Sequence, residues 1–393
     1  MIPEITFIIA VIGILHTYLL YPWITNYKAK NHSQNNIVYD INDENLPYVS
    51  IIFAAHNEEK VIEQKIISTF NSNYPNYKIE LIIGTDNCSD NTENIIAKYK
   101  SKYKINHLTF IKRQGKASII NQLVETAQNS IIILSDANVF FDEQTIYQLV
   151  KHYKNLNIGL VGGNILNNKN KTSKGIISQE KYYLYKENLL KYQEGIIWGS
   201  MIGSFGGCYS IRKELFIEIP TNKLLADDFF ITINILKQNF KAINELNAIA
   251  FEDLNESIWE EFRRKKRISA GTFPIIIQNF KMWILPFNGL SFAFCSHKVL
   301  RYITPILVII AFISNIIIFE QNIVYKLTLL SQIILYTIPV IDAILSYLKI
   351  NIKPMRFISH FILMNMALLI GIIKSIISKG NPNWKPSNRN ICI

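Results

Sequence analysis

The chain of 393 residues is 49% hydrophobic and only 18% charged, with a formal net charge of +11 and a mean hydropathy of +0.14. Soluble domains carry about 25% charged residues, so part of this chain avoids water; a disordered chain and a small disulfide scaffold are excluded. Cys88, Cys208, Cys295 and Cys392 are far apart, form no CxxC pair and read as free thiols of a reducing compartment.

The positive charge admits nucleic acid, an anionic membrane surface or phosphorylated substrates, and its placement decides among them. Residues 5–23 carry no formal charge and are long enough to span a bilayer, which takes about 20 residues of helix. No Lys or Arg precedes this run and no small-residue cleavage site follows it, which predicts a retained anchor over 1–27 rather than a cleaved signal. Lys28 and Lys30 follow directly, so the positive-inside rule places the next segment in the cytoplasm.

From 28 to 272, short apolar runs alternate with amphipathic ones. Val49–Ala55 predicts a strand, and 58–71 a helix through Val61, Ile62, Lys65, Ile66 and Thr69. Residues 81–84 predict a second strand ending at Thr85-Asp86, and Asp90 caps a helix through Ile95, Ile96 and Tyr99. Residues 108–111 predict a third strand, 116–128 a third helix, and Ile131–Ser135 a fourth strand. The alternation implies an α/β fold whose mostly parallel sheet is covered on both faces. Ligands of such sheets bind beyond the carboxyl ends of strands. The residues there are acidic and amide-rich: His56-Asn57-Glu58, Asp86-Asn87 and Asp136-Ala137-Asn138. Neither GxGxxG nor GxxxxGK[ST] occurs, so the phosphate cradles of dinucleotide and P-loop folds are absent. A diphosphate bound without them needs another counter-charge. A divalent metal on a strand-end carboxylate supplies one, with Asp136 the candidate; each such Asp equally suits the cap of the next helix.

Trp198-Gly199-Ser200 and Ser204-Phe205-Gly206-Gly207-Cys208 follow, where Gly206 and Gly207 allow either close backbone approach or a plain turn before a strand. Asp227-Asp228 open an amphipathic run to about Gln238, and paired acids at a helix start complement its dipole. Arg263-Arg264-Lys265-Lys266-Arg267 is the densest charge run. An apolar helix follows it and no aromatic platform for single strands accompanies it, so no nucleic-acid partner is expected. Residues 273–294 contain Lys281 and Pro286 and read as interfacial, within a segment assigned to 273–298. Residues 302–319, 327–348 and 357–373 are three further candidate spans in a bundle and basic tail over 299–393. His297, Lys298, Arg301, Lys349, Lys353 and Arg356 suit cytoplasmic flanks; Lys374, Lys379, Lys385 and Arg389 do not, which favours a last segment lying in or re-entering that interface over a further crossing by 273–294. Asp342, the one acid within a span, reads as structural, as do His16 and His360.

The ordered set VSIIFAAHNEE, TDNCSDNT, Gly115-Lys116 and LSDAN resembles the membrane-bound family 2 glycosyltransferases. These have the GT-A fold and include cellulose, hyaluronan and poly-N-acetylglucosamine synthases. The resemblance runs from the HTYLLYP segment to Trp384-Lys385-Pro386. It implies that Ala55, Asn57 and Glu58 contact the nucleotide ribose and base, that Asp86 reads the uracil, and that Lys116 lies near the diphosphate. It implies further that Asp136 and Asn138 hold Mg2+ or Mn2+ in place of a DxD motif. Asn138 departs from that motif, since a neutral oxygen replaces a charged one, and weaker metal affinity is expected. Asp228 matches the general base, with Asp227 in the Glu position of a Thr-Glu-Asp-like element. A sugar hydroxyl is a poor nucleophile, and a carboxylate within hydrogen-bond reach suits its activation. Trp198, Gly206 and Gly207 fall on the acceptor side, and Arg264 and Arg267 at the diphosphate or acceptor. The QxxRW element of processive members reads Arg264-Lys265-Lys266-Arg267-Ile268, keeping the arginine and losing Gln and Trp. The expected activity is inverting, metal-dependent transfer from a nucleotide-sugar donor, UDP-linked, to a glycan or lipid-linked acceptor. It is placed at the cytoplasmic face of a lipid bilayer, by an integral multi-pass protein serving cell-surface or extracellular polysaccharide. Single transfer is favoured over a processive synthase; a nucleotide-sensing scaffold and a transporter are the alternatives from other classes.

Overall fold

The computed structural model describes residues 1–167, 176–252, 257–284, 288–348 and 350–377. Pro286, Lys349, Lys379, Trp384, Lys385, Pro386, Arg389 and Cys392, which figure in the sequence reading, lie outside them. The chain divides into two compact units, one drawn from Lys28–Lys171 and Leu184–Leu254, the other from Met1–Tyr27, Thr172–Tyr183 and Asn255–Gly380.

The first unit is built on an eight-stranded sheet of order β3-β2-β1-β4-β7-β6-β8-β5. Its strands are β1 (Val49–Ala55), β2 (Ile79–Asp86), β3 (Ile105–Phe110), β4 (Ile131–Ser135), β5 (Val139–Phe141), β6 (Ile158–Asn167), β7 (Cys208–Arg212) and β8 (Lys241–Glu252). The first four run parallel, β2 and β4 flanking β1. Every residue of β2 and β4 is buried, which is why each holds an apolar run, at 81–83 and 131–134, although β2 also carries Glu80, Thr85 and Asp86. Beyond β4 the sheet is mixed: β7 lies antiparallel to β4 and β6, β6 parallel to β8, and β5 antiparallel to β8. On one face, Ile62, Ile66 and Phe70 of the helix Ile62–Phe70 share a core with Ile51 and Phe53 of β1 and with Leu81 and Ile83 of β2. On the other, the helix Lys116–Thr126 lies so close to β2 that a side chain at Gly84 would put its Cβ 2.5 Å from Ile119. The parallel registers, Ala55 opposite Thr85 and Ile52 opposite Leu134, bring the carboxyl ends of β1, β2 and β4 to one edge. That edge is where ligands of such sheets bind.

The second unit contains four helical segments long and apolar enough to cross a membrane: Ile2–Ala29, Gly289–Ile318, Ile323–Tyr347 and Lys353–Ile377, with mean hydropathies from 1.8 to 2.0. Only 6% of the third is buried, so its apolar surface needs a non-aqueous neighbour. The second span begins at Gly289 rather than at the expected 302. Asn288 caps it, its side chain accepting from Ser291 N at 2.9 Å, and a π-turn over Cys295–Val299 carries the helix on into Leu300–Ile318. The helix Ile258–Gln278 packs on Lys353–Ile377: Ser269 Oγ donates to the Leu368 carbonyl at 2.8 Å, and a Cβ at Gly371 would meet the Lys266 carbonyl at 2.5 Å. Asp342 is buried and pairs with Arg356 at 3.2 Å, so the acid in the span has a structural partner. His16 meets Ser296 Oγ at 2.9 Å, and His360 lies 3.7 Å from Glu180.

Candidate active site

The turn after β1 is stitched to the turn after β2. His56 Nδ1 donates to the Asp86 carbonyl at 2.6 Å, which leaves Nε2 as the acceptor facing Arg113 Nη1. Asn57 sits at φ 56 and Asn87 at φ 53, a left-handed conformation that asparagine tolerates better than most residues. Asn57 Oδ1 accepts from Ser89 N at 2.8 Å, and the backbone N–H of Glu58 donates to Thr92 Oγ1 at 2.9 Å. Asp90, expected as the cap of the helix Thr92–Tyr99, stands one residue before the N-cap Asn91; one of its oxygens accepts from Thr92 N at 3.1 Å and the other from Glu59 N at 3.0 Å.

Asp86 organises the next segment. Its two carboxylate oxygens accept from Gln114 N at 2.8 Å and Gly115 N at 3.0 Å, and Gly115 has φ 86, which favours glycine. This turn starts the helix Lys116–Thr126 and aims Lys116 at the edge of the sheet. Its ammonium lies 2.9 Å from Asp136 Oδ1 and 2.8 Å from Asp227 Oδ2, joining the end of β4 to the start of the helix Asp227–Lys237. Burial works to lower the lysine pKa, but the two carboxylates outweigh it and hold Lys116 above the ordinary lysine value. Asp227 is lowered in turn: burial opposes its charge, and Lys116 overcomes that.

Asp228 goes the other way. Burial, and then the charge of Asp227, push its carboxyl up to about 6, against the pull of the Phe229 N–H, Lys116 and Lys191. The expected dipole benefit at the helix start is present in the Phe229 N–H, 2.7 Å from Asp228 Oδ1, but burial and the neighbouring acid exceed it. Burial first, and then Asp227, Asp228 and Asp136 together, also raise buried Tyr209 well above the usual tyrosine value. Gly206 faces the Asp228 carboxylate: a Cβ there would sit 3.4 Å from Oδ2. Gly207 is required by packing, since its Cβ would lie 2.6 Å from Val139 Cγ2.

The remaining expected site residues are placed by their own elements. Ala55 is buried at the end of β1. Trp198 closes the helix Ile176–Trp198, with the Lys28 ammonium 5.9 Å from its ring centroid. Arg264 and Arg267 lie on the helix Ile258–Gln278, in the other unit. There Arg264 reaches Glu180 at 2.6 Å and Glu261 at 2.8 and 3.1 Å, both acids buried. Sequence reasoning does not single out Arg113, Lys191 or Lys65 as site residues. For Lys65 a signal exists, a lysine on the apolar stripe of its helix, because lysines are almost never fully buried unless paired.

Among the described residues, no group of three or more His, Cys, Asp or Glu side chains forms a metal cage. A cation that takes most of its ligands from a diphosphate and water needs only one or two protein oxygens. Partly exposed Asp136 offers a hard carboxylate, and Asn138, whose amide N–H donates to Glu252 at 3.3 Å, keeps its carbonyl oxygen as an acceptor. The donor chemistry therefore fits Mg2+ or Mn2+ as a substrate-completed site.

Residues 50–230 match the family model described as Glycosyl transferase family 2. Over 113 residues, 28% of this chain and 27% of the relative, the chain is 33% identical to the "Probable glycosyltransferase YdaM" of Bacillus subtilis (strain 168). Over 274 residues it is 20% identical to the "Poly-beta-1,6-N-acetyl-D-glucosamine synthase" of Staphylococcus epidermidis, covering 69% of this chain and 65% of that one. The chain thus spans less than two thirds of the length of these relatives. Among solved structures, the "Mannosyltransferase PcManGT from Pyrobaculum calidifontis in complex with GDP-Man and Mn2+" superposes with a TM-score of 0.72 at 18% identity, over 95% of this chain and 99% of that one. That likeness is one of fold.

Proposed function

Because the chain carries a glycosyl transferase family 2 domain with a GT-A-like fold, we propose that it transfers a sugar from a nucleotide-sugar donor to a glycan or lipid-linked acceptor at a membrane, inverting the anomeric carbon. The observation that carries this reading is the separation of two adjacent acids. Asp227 is tied to Lys116 and lowered, while Asp228 is raised to about 6 and faces the Gly206 backbone. Pairs of acids whose environments push their pKa values apart mark acid–base chemistry.

In the mechanism we assign, Asp228 accepts the proton of the acceptor hydroxyl as its oxygen attacks the anomeric carbon. The bond from that carbon to the diphosphate oxygen breaks, and the nucleoside diphosphate leaves with the electron pair. Asp136 and Asn138 would hold Mg2+ or Mn2+, which would supply positive charge to offset that of the diphosphate. Lys116 exchanges a carboxylate for a phosphate oxygen, and Ala55, Asn57, Glu58 and Asp86 form the base and ribose pocket. The donor we assign is a UDP-sugar. The working division is an anchor over 1–27, the catalytic domain over 28–272, an interfacial segment from 273 to the start of the second span at Gly289, and a bundle from there on, with the catalytic domain cytoplasmic beside Lys28 and Lys30. Single transfer is favoured over processive synthesis, since Gln and Trp of the QxxRW element are absent.

A pH profile tests the assignment of the base. Asp228 accepts a proton only when ionised, so kcat/KM for transfer is expected to rise with pH through about 6 and then level off. A rate that is flat across that value removes Asp228 from the role.

A further inference from the structure

Lys65 is fully buried, on the helix Ile62–Phe70 beneath the turn that follows β4. Its ammonium donates to Ser135 Oγ at 2.7 Å and to the Val139 carbonyl at 2.6 Å, and lies 3.5 Å from the centroid of the Phe141 ring. Those two partners stand immediately before and after Asp136-Ala137-Asn138. The turn closes on itself through a bond from Val139 N to the Asp136 carbonyl at 3.2 Å, longer than most. Ser135 Oγ passes the contact on, donating to the Gly207 carbonyl at 2.7 Å, and Gly207 follows the glycine that faces Asp228.

A buried ammonium is costly, and apolar residues surround this one; a leucine would fill the stripe at less expense. What a leucine cannot do is donate to two acceptors that bracket one turn.

We propose that Lys65 is a positioning residue for the metal–diphosphate site: it pins both ends of the Asp136-Ala137-Asn138 turn and, through Ser135, ties that turn to the Gly206-Gly207 backbone beside Asp228. The proposal rests on the glycosyltransferase reading for its consequence, but its structural half stands apart from it. Lys65 touches no substrate in this account and acts through Asp136 and Asn138.

The test uses the full-length protein in detergent micelles, as wild type, Lys65→Met and Ser135→Ala. Lys65→Met keeps the stem and removes the donors; Ser135→Ala deletes one link with little change of volume. The first readout is hydrogen–deuterium exchange without any ligand. The segment 136–141 is expected to exchange about tenfold faster in Lys65→Met, with 79–86 unchanged, because two buried acceptors lose a charged donor. The second is the Mn2+ concentration that half-saturates UDP binding, expected to rise about tenfold in Lys65→Met and less in Ser135→Ala. A folded Lys65→Met with unchanged exchange and unchanged Mn2+ midpoint makes Lys65 a packing residue and overturns the proposal. Should Lys65→Met fail to fold, Ser135→Ala decides: wild-type exchange and midpoint in that variant overturn it equally. A wild type that binds no UDP at any Mn2+ concentration defeats the functional reading instead, while the exchange comparison still decides what holds the turn.

Discussion

Asp228→Asn is expected to lower sugar transfer by about 10²- to 10⁴-fold, the usual worth of a positioned general base, while leaving UDP affinity within about twofold. The asparagine keeps the shape of the side chain, and its carbonyl oxygen still accepts from Phe229 N, so the start of the helix Asp227–Lys237 is preserved. The Lys116–Asp227 pair is undisturbed, and Asp227 loses a like-charged neighbour. Only the capacity to take a proton disappears. The effect belongs in kcat, because the hydroxyl yields its proton in the transition state and not on binding. Steady-state kinetics beside UDP calorimetry separates the two; transfer retained within about tenfold of wild type would mean another group is the base.

Asp136→Ala has the second largest expected effect, and a different signature. The substitution removes the charged candidate ligand for the cation and one of the two carboxylates on Lys116. UDP affinity in the presence of Mn2+ is expected to fall by about tenfold or more, to the level seen without metal, and transfer falls with it. Folding is affected little, since Asp136 is partly exposed and Lys116 retains Asp227. Calorimetry of UDP with and without Mn2+ measures this directly. An unchanged metal dependence in the variant removes Asp136 from the metal site.

The parallel half of the sheet is legible because its inner strands are buried on both faces and so read as apolar runs. Val49–Ala55 and Ile131–Ser135 can be read to the residue. The third strand reads late, at 108–111 rather than Ile105–Phe110, because in this edge strand Asn106, His107 and Thr109 interrupt the apolar residues and leave no run to follow. Strands β5, β6 and β8 give no usable signal. Val139–Phe141 has three residues, Ile158–Asn167 carries glycines, and β6 and β8 pair with register shifts.

The candidate site follows the same logic. Asp86, Asp136, Asp227 and Asp228 each stand at the end of a strand or the start of a helix, where position alone draws attention to them. Lys65 and Lys191 sit inside helices, and their partners are set by tertiary packing that no local pattern encodes. The basic run at 263–267 is a further case, since Arg264 meets Glu180, 84 residues earlier in the chain, a partner that composition does not reveal. Asp342 likewise has its partner on the next span, in Arg356.

Every role assigned to these residues depends on the chain moving a sugar from a nucleotide donor. Purified full-length protein with Mn2+ is supplied with UDP-glucose, UDP-N-acetylglucosamine, UDP-galactose and GDP-mannose in turn, and nucleoside diphosphate release is measured. Release is expected from a UDP-sugar, with a requirement for Mn2+ or Mg2+ and none in Asp228→Asn. Release from GDP-mannose alone keeps the enzyme and replaces the donor. No release from any of these donors, with no binding of UDP or GDP, would mean that the chain does not transfer sugars from nucleotide donors.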